Sequence, residues 1–509
     1  MKRNIKLLIT AVISVTIAII ACNKKLDVTD ENNPTVESYF KTAAELQNGV
    51  NGIYSTLRSG NLVGREWFFT HDMRGAETAS GGAQLEAPRA ELMKQASPSP
   101  SNSVMTSEWN GCYQMINRAN IVLFAAPNVT DNAAQRDVAV GEAEFLRAWA
   151  YFELVTMWGD VPVYTTPVLS ITDFRAKSPS TEVYTLIISD LTDAASKLPA
   201  SAAQQGRATS GAANALLGRV EMQKGDYDAA KAALLKVYGK YSLVPFQDNF
   251  DGDIKLGGNQ IATGHEYNPE SIFEVSFVDK GNNNFNWGYT GEGPTADASI
   301  MRSQEYGIVW GNVVPSDQIL NEFEANDPRY KYTFFEPGDG YNLAHTPNSD
   351  GTVDLILKEA NMNVAASNHN GNIKKRVYRK YSILEWTNDG FHPDGINQRI
   401  IRYADVLLML AECEAETGSP AQAASYINQV RARPGVNMPP VVLGSKNEAI
   451  AAVMHERAVE LAGEEINNID ILRWRAKGYY PSIRPDPKPG QVAYFPIPAS
   501  EIAANPLIQ

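Results

Sequence analysis

Cysteine is scarce in this chain. Three occur among 509 residues, at positions 22, 112 and 413, too few and too far apart for a disulfide framework. Cys112 and Cys413 fall in helical patterns and read as buried small hydrophobes. Histidine is scarce too. The six are scattered, with no HExxH pair and no Cys/His cluster, so no metal site and no cofactor is predicted. A GxSxG elbow and a P-loop are also missing. A glycosidase carboxylate pair needs only closeness in space and leaves no mark in sequence, so a glycoside hydrolase stands as a rival reading. Positive charge is in deficit: 45 Lys and Arg face 58 Asp and Glu, for a formal charge of −13. That balance argues against nucleic acid, which needs clustered basic groups. After residue 21 no apolar run is long enough to cross a bilayer.

The one long apolar stretch stands at the start. Lys2, Arg3 and Lys6 precede an uninterrupted apolar or small run from Leu7 to Ala21. It is short for a membrane span and has the layout of a secretory signal. It ends Ile19-Ile20-Ala21-Cys22. An aliphatic residue three before a cysteine and a small one directly before it is the pattern of a bacterial lipoprotein signal. Residues 1–21 are therefore expected to be removed, and Cys22 to carry acyl chains. At about 0.8 kcal/mol per buried methylene, several chains anchor permanently. Polar residues 22–34 then read as a tether.

Residues 35–509 read as one mainly α domain. Thr42-Ala43-Ala44-Glu45 is a capping box ahead of Leu46, Val50, Ile53 and Leu57. Residues 59–103 read as a Gly- and Ser-containing loop. Helices are expected near 104–126 and 132–158, the second apolar around much of its circumference. Further helices are expected from Thr181 to Leu198, Ala212 to Lys224 and Tyr227 to Tyr238, then Arg402 to Thr417 and Ala421 to Arg433. The last two pairs turn at Gly225-Asp226 and Gly418-Ser419-Pro420. Ser419 suits an N-cap and Pro420 the first helical position. In both pairs a small residue stands seven before the glycine (Gly218, Ala411) and five after it (Ala230, Ala423). These units resemble tetratricopeptide repeats, which gives an alpha-alpha superhelix with a few short strands. A second capping box starts at Ser445 and leads a helix to about Ala462. Two long irregular insertions, 245–315 and 334–398, are rich in Gly, Asn, Asp and aromatics, with strand-like runs at Ser271 to Val278 and Arg376 to Tyr381. Such insertions are where function tends to sit.

Several stretches together resemble the SusD/RagB family of outer-membrane nutrient-binding lipoproteins. They include Gly141-Glu-Ala-Glu-Phe-Leu-Arg-Ala-Trp-Ala-Tyr-Phe through Trp158-Gly-Asp-Val-Pro162, and Glu182-Val-Tyr through Asp190-Leu. Gly206-Arg-Ala-Thr209, Glu270-Ser-Ile-Phe-Glu-Val275, Asp327-Pro-Arg329 and Ile401-Arg-Tyr-Ala-Asp405 follow. Asn428-Gln-Val-Arg-Ala-Arg433, Glu456-Arg457 and Pro496-Ile-Pro498 complete the order. The resemblance implies a repeat-bearing helical fold and a partner, a TonB-dependent β-barrel of the SusC type that the lipoprotein covers as a lid. It implies a glycan ligand, with peptide or another nutrient as the alternative. One position departs from the pattern: Asn467 stands where members often carry Arg, so a local ion pair is expected to be missing.

A sugar site needs flat aromatics for the apolar ring faces and polar groups for the hydroxyl rim. The candidates are Trp67, Asp72 and Arg74 in one stretch, Asn283, Trp287 and Tyr289 in an asparagine-rich loop, and Tyr306 and Trp310 just beyond. Against each stands the plainer possibility that it pins a loop to the scaffold. Trp109, Trp149, Trp158 and Trp474 read as core, and Arg147, Arg402 and Arg457 as partners of nearby carboxylates. Residues 248–253 fail EF-hand spacing, so calcium is not expected. The expected role is capture of an oligosaccharide outside the cell, without turnover. A pure protein–protein scaffold is the second rival.

Overall fold

The computed structural model describes residues 39–81, 85–252, 264–278, 299–306, 311–336, 339–342, 354–356, 376–382 and 395–508, and two short strands within 254–262. Helix α1 (Ala43–Leu57) starts as the sequence dictates. The Thr42 hydroxyl accepts the Glu45 N–H, and the Glu45 carboxylate accepts the Thr42 N–H at 2.8 Å. Two short helices, α2 (Glu66–Arg74) and α3 (Ala87–Lys94), flank strand β1 (Thr78–Ser80). They lie inside the stretch read as loop. All nine residues of α2 are buried, Glu66, His71, Asp72 and Arg74 included, so its polar positions mark no solvent face.

The long helices α4 (Ser103–Ala125) and α5 (Ala133–Trp158) follow, then a short strand pair β2–β3 (Val161–Pro162, Lys177–Ser178). From Gly141 to Trp158 every residue of α5 is buried, as an apolar circumference requires. Helices α6 (Ser180–Lys197), α7 (Ser210–Lys224) and α8 (Tyr227–Leu235) continue the stack. The middle segment supplies a hairpin β4–β5 (Ile254–Leu256, Gln260–Ala262), strand β6 (Ser271–Val275), the short helix α9 (Arg302–Tyr306) and strand β7 (Val313–Pro315). Then come α10 (Asp317–Glu322), α11 (Arg329–Thr333), β8 (Phe334–Phe335), a hairpin β9–β10 (Gly340–Asn342, Asp354–Ile356), β11 (Val377–Tyr378) and β12 (Gln398–Arg402). The chain closes with α12 (Tyr403–Thr417), α13 (Pro420–Arg431), α14 (Lys446–Leu461), α15 (Asn467–Ala476), α16 (Tyr479–Ser482) and α17 (Ala499–Ala504).

Neighbouring helices pack in chain order from α4 to α8; α8 then meets α12, which packs on α13 and α14. This makes a tetratricopeptide-like superhelix. In the first hairpin Gly225 takes a left-handed conformation, φ 95°, which glycine adopts at no steric cost, and Asp226 caps α8. A Cβ at Gly218 would lie 2.5 Å from Leu234 Cγ, so the small residue is what lets α7 and α8 close. Ala411 and Ala423 are fully buried in the matching hairpin. There Ser419 holds the N-cap position and Pro420 opens the helix, but the serine side chain makes no capping bond. The second capping box, Ser445 with Glu448, forms as read. Cys112 and Cys413 are free and buried. One hydrophobic cluster runs from Ala43 to Phe495.

Replacing Gly218 by Val forces two methyl groups into the fully buried Leu234. Overpacking of this kind costs about 1–3 kcal/mol, so the denaturant midpoint is expected to fall. An unchanged midpoint would mean that the α7–α8 contact is slack.

A loop-bearing face as the candidate binding site

The roots of the irregular segments gather in one band. Strand β1 pairs antiparallel with β7, Ser80 opposite Val313, and the Gly81 N–H donates to the Asn312 carbonyl at 2.9 Å. Segments 82–84 and 307–310 therefore leave from adjacent backbone. Strand β6 pairs with β12, Val275 opposite Gln398, and the Phe277 N–H donates to Asn397 Oδ1 at 2.8 Å. Segments 279–298 and 383–394 leave from that second pair. The β4–β5 hairpin departs beside them, because Gly252 and Gly264 touch so closely that a Cβ on Gly264 would overlap the Gly252 backbone, and Glu266 accepts the Asn397 N–H.

Aromatic and cationic side chains bridge the two root groups. Tyr306 packs edge-on to Phe68 at 5.4 Å and beside Tyr378 at 5.8 Å. The Arg302 guanidinium lies over Tyr306 at 4.6 Å and Tyr381 at 5.1 Å and pairs with Glu465. Tyr381 in turn packs on Phe250 at 5.4 Å, which clusters with Ile396. The band is thus continuous from α9 to the start of β12.

Under this band lies a lattice of buried ions. Arg402, at the β12–α12 junction, donates to Glu270 at 2.9 Å, to Glu460 at 2.6 Å and to Glu464 at 2.6 Å. Arg433 shares Glu270 and Glu460, and Arg329 joins Asp327, Glu456 and Glu460. Burial alone would raise the Glu460 carboxyl, but the charges of Arg433, Arg402 and Arg329 hold it far below the usual range. Lys380 donates to the Glu460 carbonyl and to Glu464; burial pulls its ammonium down to about 8. A second lattice stitches the repeats. Arg457 bridges Asp405 and Asp470 at 2.7 and 2.6 Å, Arg219 adds to Asp405, and Arg473 joins Asp470 to Glu412. Arg147 pairs with Asp190 at 2.8 Å. The reading of Arg147, Arg402 and Arg457 as structural therefore holds. Asn467 uses its side-chain oxygen to accept the Ala76 N–H at 2.9 Å.

Four of the predicted ligand residues turn inward. Trp67 is 4% exposed and packs against Trp149 and His71. Asp72 is buried. Arg74 donates to the Val492 carbonyl and covers Phe495, and Tyr306 is fully buried. A sugar stacks only on a ring face it can reach, so burial counts against Trp67 and Tyr306 as stacking platforms, and Asp72 and Arg74 are equally enclosed. Asn283, Trp287, Tyr289 and Trp310 lie outside the described residues, as does Cys22.

Two clefts elsewhere compete. One, by α1, α5 and residues 199–208, is lined by Gln47, Glu142, Gln204 and Arg207 among others, and no aromatic ring lines it. The other has Tyr113 and Tyr164 with Gln114, Asn117 and Glu501. There Tyr113 already donates to the Pro162 carbonyl and Asn117 accepts the Val168 N–H. Arg175 lies over the Tyr164 ring at 5.6 Å. Those groups are spent on the fold.

A repeat-built helical body with a band of short strand pairs on one side defines the class of fold. The chain belongs to the SusD/RagB family. Residues 269–509 match the model described as SusD family, and residues 25–222 the one described as starch-binding associating with outer membrane. The SusD-like protein P2 of Formosa agariphila is 26% identical over 466 residues, covering 87% of this chain and 86% of that one. A SusD superfamily protein of Bacteroides vulgatus superposes with a TM-score of 0.71 at 23% identity, over 92% of this chain and 99% of the other. A laminarin-binding SusD-like protein gives 0.71 at 24% identity, over 92% and 98%. Surface glycan-binding protein A of Bacteroides thetaiotaomicron, solved with laminarihexaose, gives 0.67 at 19%, over 91% and 98%. At these identities the solved structures share the fold.

The ion lattices set an acid limit. Burial would raise Asp405, yet Arg457 and Arg219 hold it at about 2, below the roughly 3.9 of an unfolded aspartate. A depressed folded value means stability present above about pH 4 and lost as pH falls toward 2. The denaturant midpoint should therefore drop across that window. Asp405→Asn should be less stable at pH 7 and lose less between pH 4 and 2. An equal loss in both proteins would remove Asp405 from the acid response.

Proposed function

We propose that this chain is a cell-surface glycan-binding lipoprotein, anchored through Cys22, that captures an oligosaccharide and passes it to a SusC-like TonB-dependent barrel without chemical change. The observation that carries the reading is the common band of loop roots. The segments that leave it contain Asn283, Trp287, Tyr289 and Trp310, the amide and aromatic mixture that a pyranose requires. Two solved proteins of the same fold are a laminarin-binding SusD-like protein and a surface glycan-binding protein held with laminarihexaose. The family description places its members with the outer membrane. Among the described residues no helix is long and apolar enough to cross a membrane, in keeping with attachment by lipid. The buried carboxylates Glu270, Glu460 and Glu464 are engaged by Arg402, Arg433, Arg329 and Lys380, an arrangement suited to holding shape. A peptide in place of the glycan is the second reading, since the band itself fixes only where the loops stand.

A glycan array probed with the ectodomain names the sugar, and a peptide library is the control. With the best glycan, replacing Trp287 and Tyr289 together by Ala should weaken binding at least about tenfold, or ~1.4 kcal/mol, and leave the melting temperature unchanged. Unaltered affinity would remove both rings from the site. New reducing ends in the same incubations would sink the non-enzymatic reading. Labelled palmitate should enter the full chain, and not the Cys22→Ser variant. Equal labelling of the two would refute the anchor.

A further inference from the structure

Three helices beneath the loop band bring an imidazole and two carboxylates to one buried point. His71 comes from α2, Glu108 from α4 and Glu153 from α5. One ligand atom from each lies within 4.8 Å of the others. The residues are 3%, 0% and 4% exposed. His71 Nε2 and Glu153 Oε2 are 2.7 Å apart. Glu108 is the unexplained member: neither carboxylate oxygen has a hydrogen-bond partner, and His71 Nδ1 has none either. The Thr70 hydroxyl, beside Glu108, spends its proton on the Glu66 carbonyl at 2.9 Å. Beyond Thr70 and Glu66, the surroundings are apolar. The Trp67 ring is 5.2 Å from the imidazole, and Trp149 and Cys112 belong to the same core.

Charge decides what such a point can hold. An imidazolium with two carboxylates leaves one negative charge without solvent, and an unpaired buried ion costs several kcal/mol. A dication with two carboxylates and a neutral imidazole is electrically balanced. Imidazole and carboxylate donors at about 2.0–2.2 Å suit zinc, and the same donor types serve manganese and iron(II). Donors around such an ion stand roughly 3.4 Å apart in tetrahedral geometry, so from a spread of up to 4.8 Å the widest pair closes by about 1.4 Å, while the His71–Glu153 pair, now at 2.7 Å, opens by about 0.7 Å. No linear motif announces the set, because its members come from three helices far apart in sequence.

We propose that His71, Glu108 and Glu153 form a structural site for one divalent transition cation, clamping α2 against α4 and α5. The competing arrangement is a proton held between the two carboxylates. Burial, and then the charge of Glu153, push the Glu108 carboxyl well above its usual range when no cation is bound.

The two arrangements separate cleanly. The mature chain is expressed with Zn2+ or Mn2+ in the medium, purified without a polyhistidine tag, dialysed against chelator and assayed for metal by mass spectrometry. About one equivalent is expected in the wild type and under a tenth in Glu108→Gln. His265→Ala, an exposed control, should keep the full equivalent. Because Glu108→Gln removes a buried charge and risks misfolding, anomalous diffraction from a wild-type crystal supplies the second readout, with a peak expected among the three side chains. A wild type holding under a tenth of an equivalent, full retention by folded Glu108→Gln, or a peak elsewhere each overturns the proposal in favour of the shared proton.

Discussion

Arg402 is the residue on which the two parts of this molecule depend. Its guanidinium is 2% exposed and touches Glu270, Glu460 and Glu464. Glu270 precedes β6, Glu460 lies in the last turn of α14 and Glu464 just after it, and Arg402 itself ends β12 and stands directly before α12. One cation therefore ties the root of the loop band to the last repeats. Removing one partner of such a buried group typically costs 3–5 kcal/mol, because the others are left charged and dry. Sharing spreads the dependence: Arg433 and Arg329 contact the same Glu460, so its carboxylate is answered from three directions. A lattice of this kind specifies position more than it adds stability, since planar guanidinium forks accept few geometries.

That constraint suits the proposed binder, whose candidate recognition groups Asn283, Trp287, Tyr289 and Trp310 belong to the segments that leave this band. Loops lose entropy when they close on a ligand, and part of that cost is avoided if their ends are already fixed. Here the ends are fixed by β1–β7, by β6–β12 and by the aromatic run from Tyr306 to Phe250. The helical hairpins contribute stiffness behind them. On the proposed function, specificity can then change by loop sequence while the Arg–Glu framework stays the same.

Much of the scaffold was legible in the sequence because its signals are local. Thr42 with Glu45 and Ser445 with Glu448 form their capping boxes from residues three apart. Gly218 and Gly225 mark a hairpin through sterics within one turn. The ordered motifs from Gly141 to Pro498 pointed to the SusD/RagB family, and the family match agrees. What was not legible depends on distant neighbours. Helix α2 buries Glu66, His71, Asp72 and Arg74 along with its aromatics, so its polar residues mislead as a sign of exposed loop. Ser419 had the chemistry of a cap, but the backbone there did not bring its hydroxyl to an amide. Trp67 and Tyr306 sat in loop-like composition, yet each found a core partner, in Trp149 and Phe68, that no spacing rule reveals. The β6–β12 pairing joins residues over a hundred positions apart, and the His71, Glu108 and Glu153 cluster spans three helices.

The central claim is that ligand meets the loop band and leaves the repeats untouched. Hydrogen exchange on the ectodomain, with and without a saturating oligosaccharide, tests it most directly. Protection is expected in residues 279–298 and 307–310, with α8 and α13 exchanging as before. Protection confined to α8 and α13 would contradict it.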